Sequence, residues 1–304
     1  MQTKYNLVVI TGATAGGKTS VAVNLAHKLE SEIISADSRQ VYRGMDIGTG
    51  KDLNEYIIDA QQITYHLMDI VDAGYKYNVY EFQKDFFRVF KEISDKGKIP
   101  VLCGGTGLYI ESVLKDYELI HVPVNEDLRA KFGKLDISEL EKILISYKKM
   151  HNKSDLDTTK RAIRAIEIAD FYATNKLEVK KNPKINPIIF AVKFERDQRR
   201  ERITLRLKER LENGMIDEAQ KLVNAGLSFE DMEYYGLEYK YLAWYLSGKV
   251  SYEEMFEGLN TAIHRFSKRQ MTWFRKMEKN GTKINWIDGN LAMEEKMKII
   301  QNLL

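Results

Sequence analysis

Residues 7–23 read LVVITGATAGGKTSVAV, and the GATAGGKT stretch inside this run restricts the fold more than anything else in the chain. It matches G-x-x-x-x-G-K-[ST], with Gly12, Gly17, Lys18 and Thr19 in register after a β-branched apolar run and before a helix-like pattern. Such a loop turns tightly at its glycines, so that successive N–H groups face inward at a helix N-terminus, and Lys18 adds a full positive charge. The run predicts a strand–loop–helix unit that holds a phosphate group, with the Thr19 hydroxyl as a ligand for a magnesium ion on the same phosphates. Spacing alone specifies a phosphate and leaves its bearer open.

The rest of residues 1–121 continues in that rhythm. EIISAD and IPVLCGG read as strands and LYIESVL as a helix, which predicts an α/β core: a doubly wound, mostly parallel P-loop sheet with helices on both faces. Ligands of such sheets bind beyond the carboxyl ends of the strands, where Gly12–Thr19, Asp37–Gln40 and Gly104–Gly107 fall. Over 122–187 the pattern changes to charged helices such as SELEKILISYKKM and TTKRAIRAIEIADFYA. Pro123, Pro183 and Pro187, three of the four prolines, flank this stretch, so it is expected to be a helical insertion domain. PIIFAVKF then reads as a strand returning to the sheet, and 188–304 completes the core and adds C-terminal helices.

Composition narrows the class. A chain of 304 residues with 44% hydrophobic and 30% charged residues is an ordinary globular protein, and its single cysteine, Cys103, excludes an intrachain disulfide. With no secretory signal and no apolar run long enough to span a bilayer, a cytoplasmic location and no membrane partner are expected. A net charge of +3 neither demands nor excludes nucleic acid. The histidines show no metal-ligand spacing, and Cys103, ending an apolar strand, is expected in the core.

An ATPase or GTPase would carry a second apolar strand ending in a magnesium-binding Asp. IPVLC ends instead in Gly104-Gly105-Thr106-Gly107, and the one acid at a suitable strand end is Asp37, in ADSRQVYRG. Asp37 is either a general base on a nucleophile near the phosphates or a helix N-cap. Arg202 and Arg206 lie four apart and share a helical face, as a clamp on a diphosphate or as part of a solvated helix. In HRFSKRQMTWFRKMEK, helical spacing gathers Arg265, Lys268, Arg269, Thr272, Lys276 and Lys279 on one side, with Phe266, Trp273, Phe274 and Met277 largely opposite. That face has the charge of a phosphate-backbone binder or of an ordinary amphipathic helix. Lys160, Arg161 and Arg164 form a smaller basic cluster.

Taken in order, GATAGGKT, ADSRQVYRGMDIGTGK, IPVLCGGTGLYI, DTTKRAIRAIEI, RITLRLKERLENGMIDEA and FSKRQMTWFR resemble the tRNA dimethylallyltransferases over nearly the whole length. The second and last are the specific segments. The resemblance implies transfer of a dimethylallyl group from dimethylallyl diphosphate to N6 of the adenosine 3′ of the anticodon, releasing diphosphate with help from Mg2+. It implies that Gly12, Ala13, Thr14, Ala15, Gly16, Gly17, Lys18 and Thr19 hold the diphosphate, that Thr19 is the metal ligand, and that Arg206 stabilises the departing charge. Asp37 would take a hydrogen bond or proton from the adenine amine. Ser38, Arg39, Gln40 and Thr106 would meet the adenine and anticodon loop, and Arg129, Lys160, Arg161, Arg164, Lys268, Arg269, Gln270 and Arg275 would touch tRNA. The protein is expected to be a monomer whose partner is the anticodon stem-loop.

Ala13 and Gly16 stand where the family usually has proline and serine, and YYGLEYKYLAWYL departs from its usual Gly-Tyr-containing segment. The alternatives are an adenylate isopentenyltransferase acting on free nucleotide, a P-loop nucleotide or small-molecule kinase, and an RNA-binding protein with a degenerate site. Ser38-Arg39-Gln40 and KRQMTWFR favour the tRNA reading over the first, and the missing acid disfavours the kinase.

Overall fold

A computed structural model describes residues 4–147, 153–175 and 182–304. The strands are β1 (Leu7–Gly12), β2 (Ile33–Ser35), β3 (Ile57–Ile58), β4 (Gln61–Gln62), β5 (Tyr65–His66), β6 (Val101–Gly104), β7 (Pro187–Lys193) and β8 (Asn285–Asp288). The helices are α1 (Lys18–Lys28), α2 (Val79–Asp95), α3 (Gly107–Leu114), α4 (Glu126–Phe132), α5 (Ile137–Tyr147), α6 (Thr159–Thr174), α7 (Arg196–Glu212), α8 (Met215–Asn224), α9 (Phe229–Met232), α10 (Leu237–Leu246), α11 (Tyr252–Lys279) and α12 (Met293–Gln301).

Six strands form one sheet in the order β5-β2-β6-β1-β7-β8, and every pairing in it is parallel. β1 is buried at every position, as a central strand covered on both faces must be. Its alternation divides the core. Leu7 and Val9 pack with residues of α2, α3, α10 and α11, whereas Val8 and Ile10 pack with those of α1 and α12. Because the strands are parallel, the loops after β1, β2, β6 and β7 all leave the same edge of the sheet. PIIFAVKF is the expected return strand: Pro187 opens β7, where a missing N–H is tolerated, opposite Leu7.

The chain divides into two compact units, Met1–Tyr117 with Asn182–Leu304, and Glu118–Lys181. The second unit begins before Val122 and ends before Pro187, since Pro187 belongs to the sheet. Its core is Phe132, Leu140, Leu144, Ala162, Ile163 and Ile166, from α4, α5 and α6. The final residues of SELEKILISYKKM and Lys181 lie outside the described residues. Among the described residues no helix is long and apolar enough to cross a membrane.

Candidate active site

Gly17 ends the phosphate loop at φ 69°, a left-handed conformation that costs glycine nothing and lets α1 start at Lys18. No acid occupies the first turn of α1, so the helix itself supplies no negative charge at its positive end. The Gly16 N–H turns back to the Ala13 carbonyl at 3.2 Å and the Thr14 N–H donates to Gln270 Oε1 at 2.8 Å. These two amides are therefore committed within the protein. Ala15, Gly17, Lys18 and Thr19 keep amides without an acceptor among the described residues.

Residues 15–19 line a cavity of about 660 Å³ whose other wall is α7. Arg202, Arg206 and Arg210 recur at intervals of four along that helix and all line the cavity. Arg202 Nε donates to the Ala15 carbonyl at 3.0 Å, and its guanidinium lies 4.3 Å from the centre of the Phe194 ring. Arg206 is ion-paired with Asp52, and Arg210 stands 3.7 Å from the other oxygen of the same carboxylate. The solvated-helix alternative for this Arg pair thus does not describe it. Burial, reinforced by neighbouring Arg206, weakens the hold of Arg210 on its proton, and its Nε has no partner among the described residues. Glu55, also on the wall, is pushed up by burial and by the nearby Asp52 charge.

Asp37 follows β2, with β6 between that strand and β1. Its Oδ1 accepts the Arg39 N–H at 3.0 Å in a turn, and no helix begins there, so the N-cap alternative is replaced by an Asx turn. Asp37 is not on the cavity wall formed by the phosphate loop and α7. The end of β6 lies between the two: Cys103 is paired with Ser35 of β2, and its Sγ lies 3.8 Å from the Lys18 carbonyl. Burial pushes the Cys103 thiol up to about 12, and the charges of Lys18, Glu55 and Asp37 all act on it. Thr106, in the loop after β6, accepts the Ser38 N–H at 3.1 Å. Gln40 accepts the Ser35 hydroxyl at 2.9 Å and donates to the Gly50 carbonyl at 3.1 Å, tying the Asp37 turn to the 46–52 loop on the cavity rim.

Sequence reasoning missed what holds that loop. Glu218, on α8, accepts the N–H groups of Asp46 and Ile47 at 2.8 Å and of Gly48 at 2.9 Å, and the Tyr239 hydroxyl at 2.6 Å. Lys51 is fully buried, donating to the Tyr42 carbonyl at 2.8 Å and ion-paired with Asp46 and Asp69. DIGTGK in the sequence marks the loop, but nothing in it points to a Glu some 170 residues later.

On α11, Arg265, Lys268, Arg269, Thr272, Lys276 and Lys279 are exposed, as the spacing predicts, and Arg275 is exposed with them. The apolar side differs from expectation. Phe266 is exposed beneath Arg269, whose guanidinium lies 5.8 Å from its ring centre, and Ser267, Gln270 and Met271 join Phe274 and Met277 in the buried face. Gln270, expected to touch tRNA, is only 8% exposed. In the second unit Lys160 and Arg161 are exposed, Arg161 donating to Asp157 at 2.6 Å. Arg129 and Arg164 both donate to the buried Glu167 at 2.8 Å, which holds the Glu167 carboxyl down against the upward push of burial. Arg164 also donates to the Val122 carbonyl at 2.7 Å.

Among the described residues no cluster of His, Cys, Asp and Glu makes a metal site unaided. Thr19 stands at the head of α1 on a wall that also carries Asp46, Asp52 and Glu55. This donor set suits a hard cation that takes one hydroxyl and completes its shell with phosphate oxygens and water.

Comparison with known proteins follows the same lines. The IPP transferase family pattern matches residues 40–277. The tRNA dimethylallyltransferase 2 of Bacteroides fragilis is 56% identical over 300 residues, covering 99% of this chain and 98% of its own. The tRNA isopentenylpyrophosphate transferase of Bacillus halodurans superposes with a TM-score of 0.71 at 34% identity, over 99% of this chain and 95% of that one. A eukaryotic dimethylallyltransferase acting on tRNA superposes with a TM-score of 0.79 over 98% of this chain and 79% of that one; at 21% identity this likeness concerns the fold alone. With its pattern spanning most of the sequence and a relative more than half identical from end to end, the chain belongs to the IPP transferase family.

Proposed function

We propose that the protein transfers a dimethylallyl group from dimethylallyl diphosphate to N6 of the adenosine 3′ of the anticodon in tRNA, releasing diphosphate. The observation that carries this reading is the cavity with uncommitted amides of a helix N-terminus on one wall and Arg202, Arg206 and Arg210 on the other. Its cationic lining suits a diphosphate. The N6 lone pair attacks C1 of the dimethylallyl group, the C1–O bond breaks with its electron pair leaving on the diphosphate, and the N6 proton passes to the Asp37 carboxylate. The Ala15, Gly17, Lys18 and Thr19 amides, the Lys18 ammonium and Arg206 receive the charge that develops on the leaving group. Magnesium held by Thr19 would neutralise further charge on the same oxygens. The adenosine must leave its stack to reach a carboxylate at a strand end. Lys268, Arg269 and Arg275 of α11, with Lys160 and Arg161, would track the RNA backbone. We take the protein to act as a monomer in the cytoplasm.

The kinase alternative wants an acid at the end of a strand beside β1; its two neighbours, β6 and β7, end at Gly104 and Lys193 without one. The experiment is incubation of labelled dimethylallyl diphosphate with an unmodified anticodon stem-loop, AMP and ATP in parallel. Label on the RNA and not on AMP is expected; label on AMP alone, or ATP turnover without prenyl transfer, would replace the proposal with one of its alternatives.

A further inference from the structure

The helix with the basic face touches the phosphate loop with its other face. Gln270, near the middle of α11, accepts the Thr14 N–H at 2.8 Å and donates to the Gly105 carbonyl at 2.9 Å. Its partners lie 256 and 165 residues away, in the loops that follow β1 and β6. The chemistry fixes which end of the amide is which, since Thr14 offers a donor and Gly105 an acceptor. The approach is close. A Cβ on Gly105 would fall 2.5 Å from Gln270 Nε2, and one on Gly107 would fall 2.3 Å from the Trp273 ring one turn along the helix. The segment after β6 therefore gives up two side chains where α11 seats.

We propose that Gln270 is a positioning residue for the diphosphate cradle rather than an RNA contact, so that the helix assigned to the RNA backbone also sets the geometry of the phosphate loop. This rests on reading that loop as a diphosphate site. Gln270 has almost no surface to offer a partner, and both ends of its amide are spent on backbone. Thr14 lies two residues beyond the end of β1, and its N–H is bound to Gln270. Fixing that amide fixes where Ala15 and the amides after it begin. The carbonyl of Gly105 immediately precedes Thr106, which accepts from Ser38 beside Asp37, so the same side chain steadies the reactive carboxylate's neighbour. No other side chain of this length both donates and accepts in this way. Methionine matches its volume and loses both bonds, and asparagine keeps the chemistry but falls one methylene short.

The test is calorimetric titration of inorganic diphosphate into the full chain without RNA, alongside titration of the anticodon stem-loop without diphosphate. Gln270→Met and Gln270→Asn are each expected to weaken diphosphate binding about tenfold, the scale of one lost buried hydrogen bond, while RNA affinity changes little. In turnover, KM for dimethylallyl diphosphate should rise and KM for RNA should not. Hydrogen exchange gives a second measurement on either variant, with the Thr14 amide losing protection while the β1 amides keep theirs. Unchanged diphosphate affinity with a protected Thr14 amide, or weakened RNA binding with unchanged diphosphate affinity, would overturn the inference. Failure of the unaltered protein to bind diphosphate would overturn the reading of the loop itself, and this inference with it.

Discussion

Asp52 holds Arg206 in an ion pair on the wall facing the phosphate loop, and Arg210 stands 3.7 Å from its second oxygen. The carboxylate lies between two guanidinium groups that would also serve an anion. A diphosphate entering the cavity competes with it. Asp52→Asn removes the competitor and is expected to tighten inorganic diphosphate binding by about three- to tenfold at low salt, an advantage that shrinks as ionic strength rises. Weaker binding would mean that Asp52 serves chiefly to orient the arginines. Arg206→Ala should lower kcat by about 10²- to 10³-fold, as loss of one preorganised donor to a developing oxyanion does.

Asn at position 37 can still accept the Arg39 N–H through its side-chain oxygen, so Asp37→Asn preserves the turn and removes only the base. Turnover should fall by about 10²- to 10⁴-fold, with melting temperature and diphosphate affinity unchanged. A variant that kept its kcat would remove Asp37 from the chemistry.

The exposed cations of α11 should be read through salt. Lys268→Ala and Arg269→Ala should each reduce the slope of log affinity for the stem-loop against log salt by about 0.7 to 0.9, and weaken binding alike for all sequences. An unaltered slope would return that face to an ordinary solvated helix.

Glu32 gives the fold an acid-sensitive point remote from the cavity. Burial alone would raise its carboxyl, but hydrogen bonds from Lys96 and His66 overcome this and hold it at about 2 against an ordinary 4.5. A depressed carboxylate stabilises the fold above its unfolded value and loses that contribution as pH falls. Up to about 3 kcal/mol is therefore present at neutral pH and lost between about pH 4.5 and 2. Glu32→Gln should lower the melting temperature at pH 7 and flatten its dependence across that acid window, as calorimetry would record.

Much of the candidate site was legible because it is local. The phosphate loop, the strand before it and the helix after it are specified within seventeen residues, and Asp37 stands out as the acid at a strand end with none after IPVLC. Sequence also indicated the exposed cations of α11, since helical spacing sorts faces. It failed where residues distant in the chain meet. Gln270 sits among arginines and lysines in KRQMTWFR and reads as one more polar surface residue, yet its register on the helix turns it inward to Thr14 and Gly105. Glu218 likewise reads as an ordinary helix-surface acid until the 46–48 loop is folded over it. Periodicity tells which face a residue is on, but not what a loop from another part of the chain will ask of it.

The central claim is tested most directly by the site of attachment. After reaction with labelled dimethylallyl diphosphate, the stem-loop would be digested to nucleosides and the labelled one identified by mass spectrometry and by its position in the RNA. Label on N6 of the single adenosine 3′ of the anticodon, absent when that base is replaced by guanosine, is the expected result. Label on another base, on the backbone, or only on free adenosine nucleotide would contradict the account.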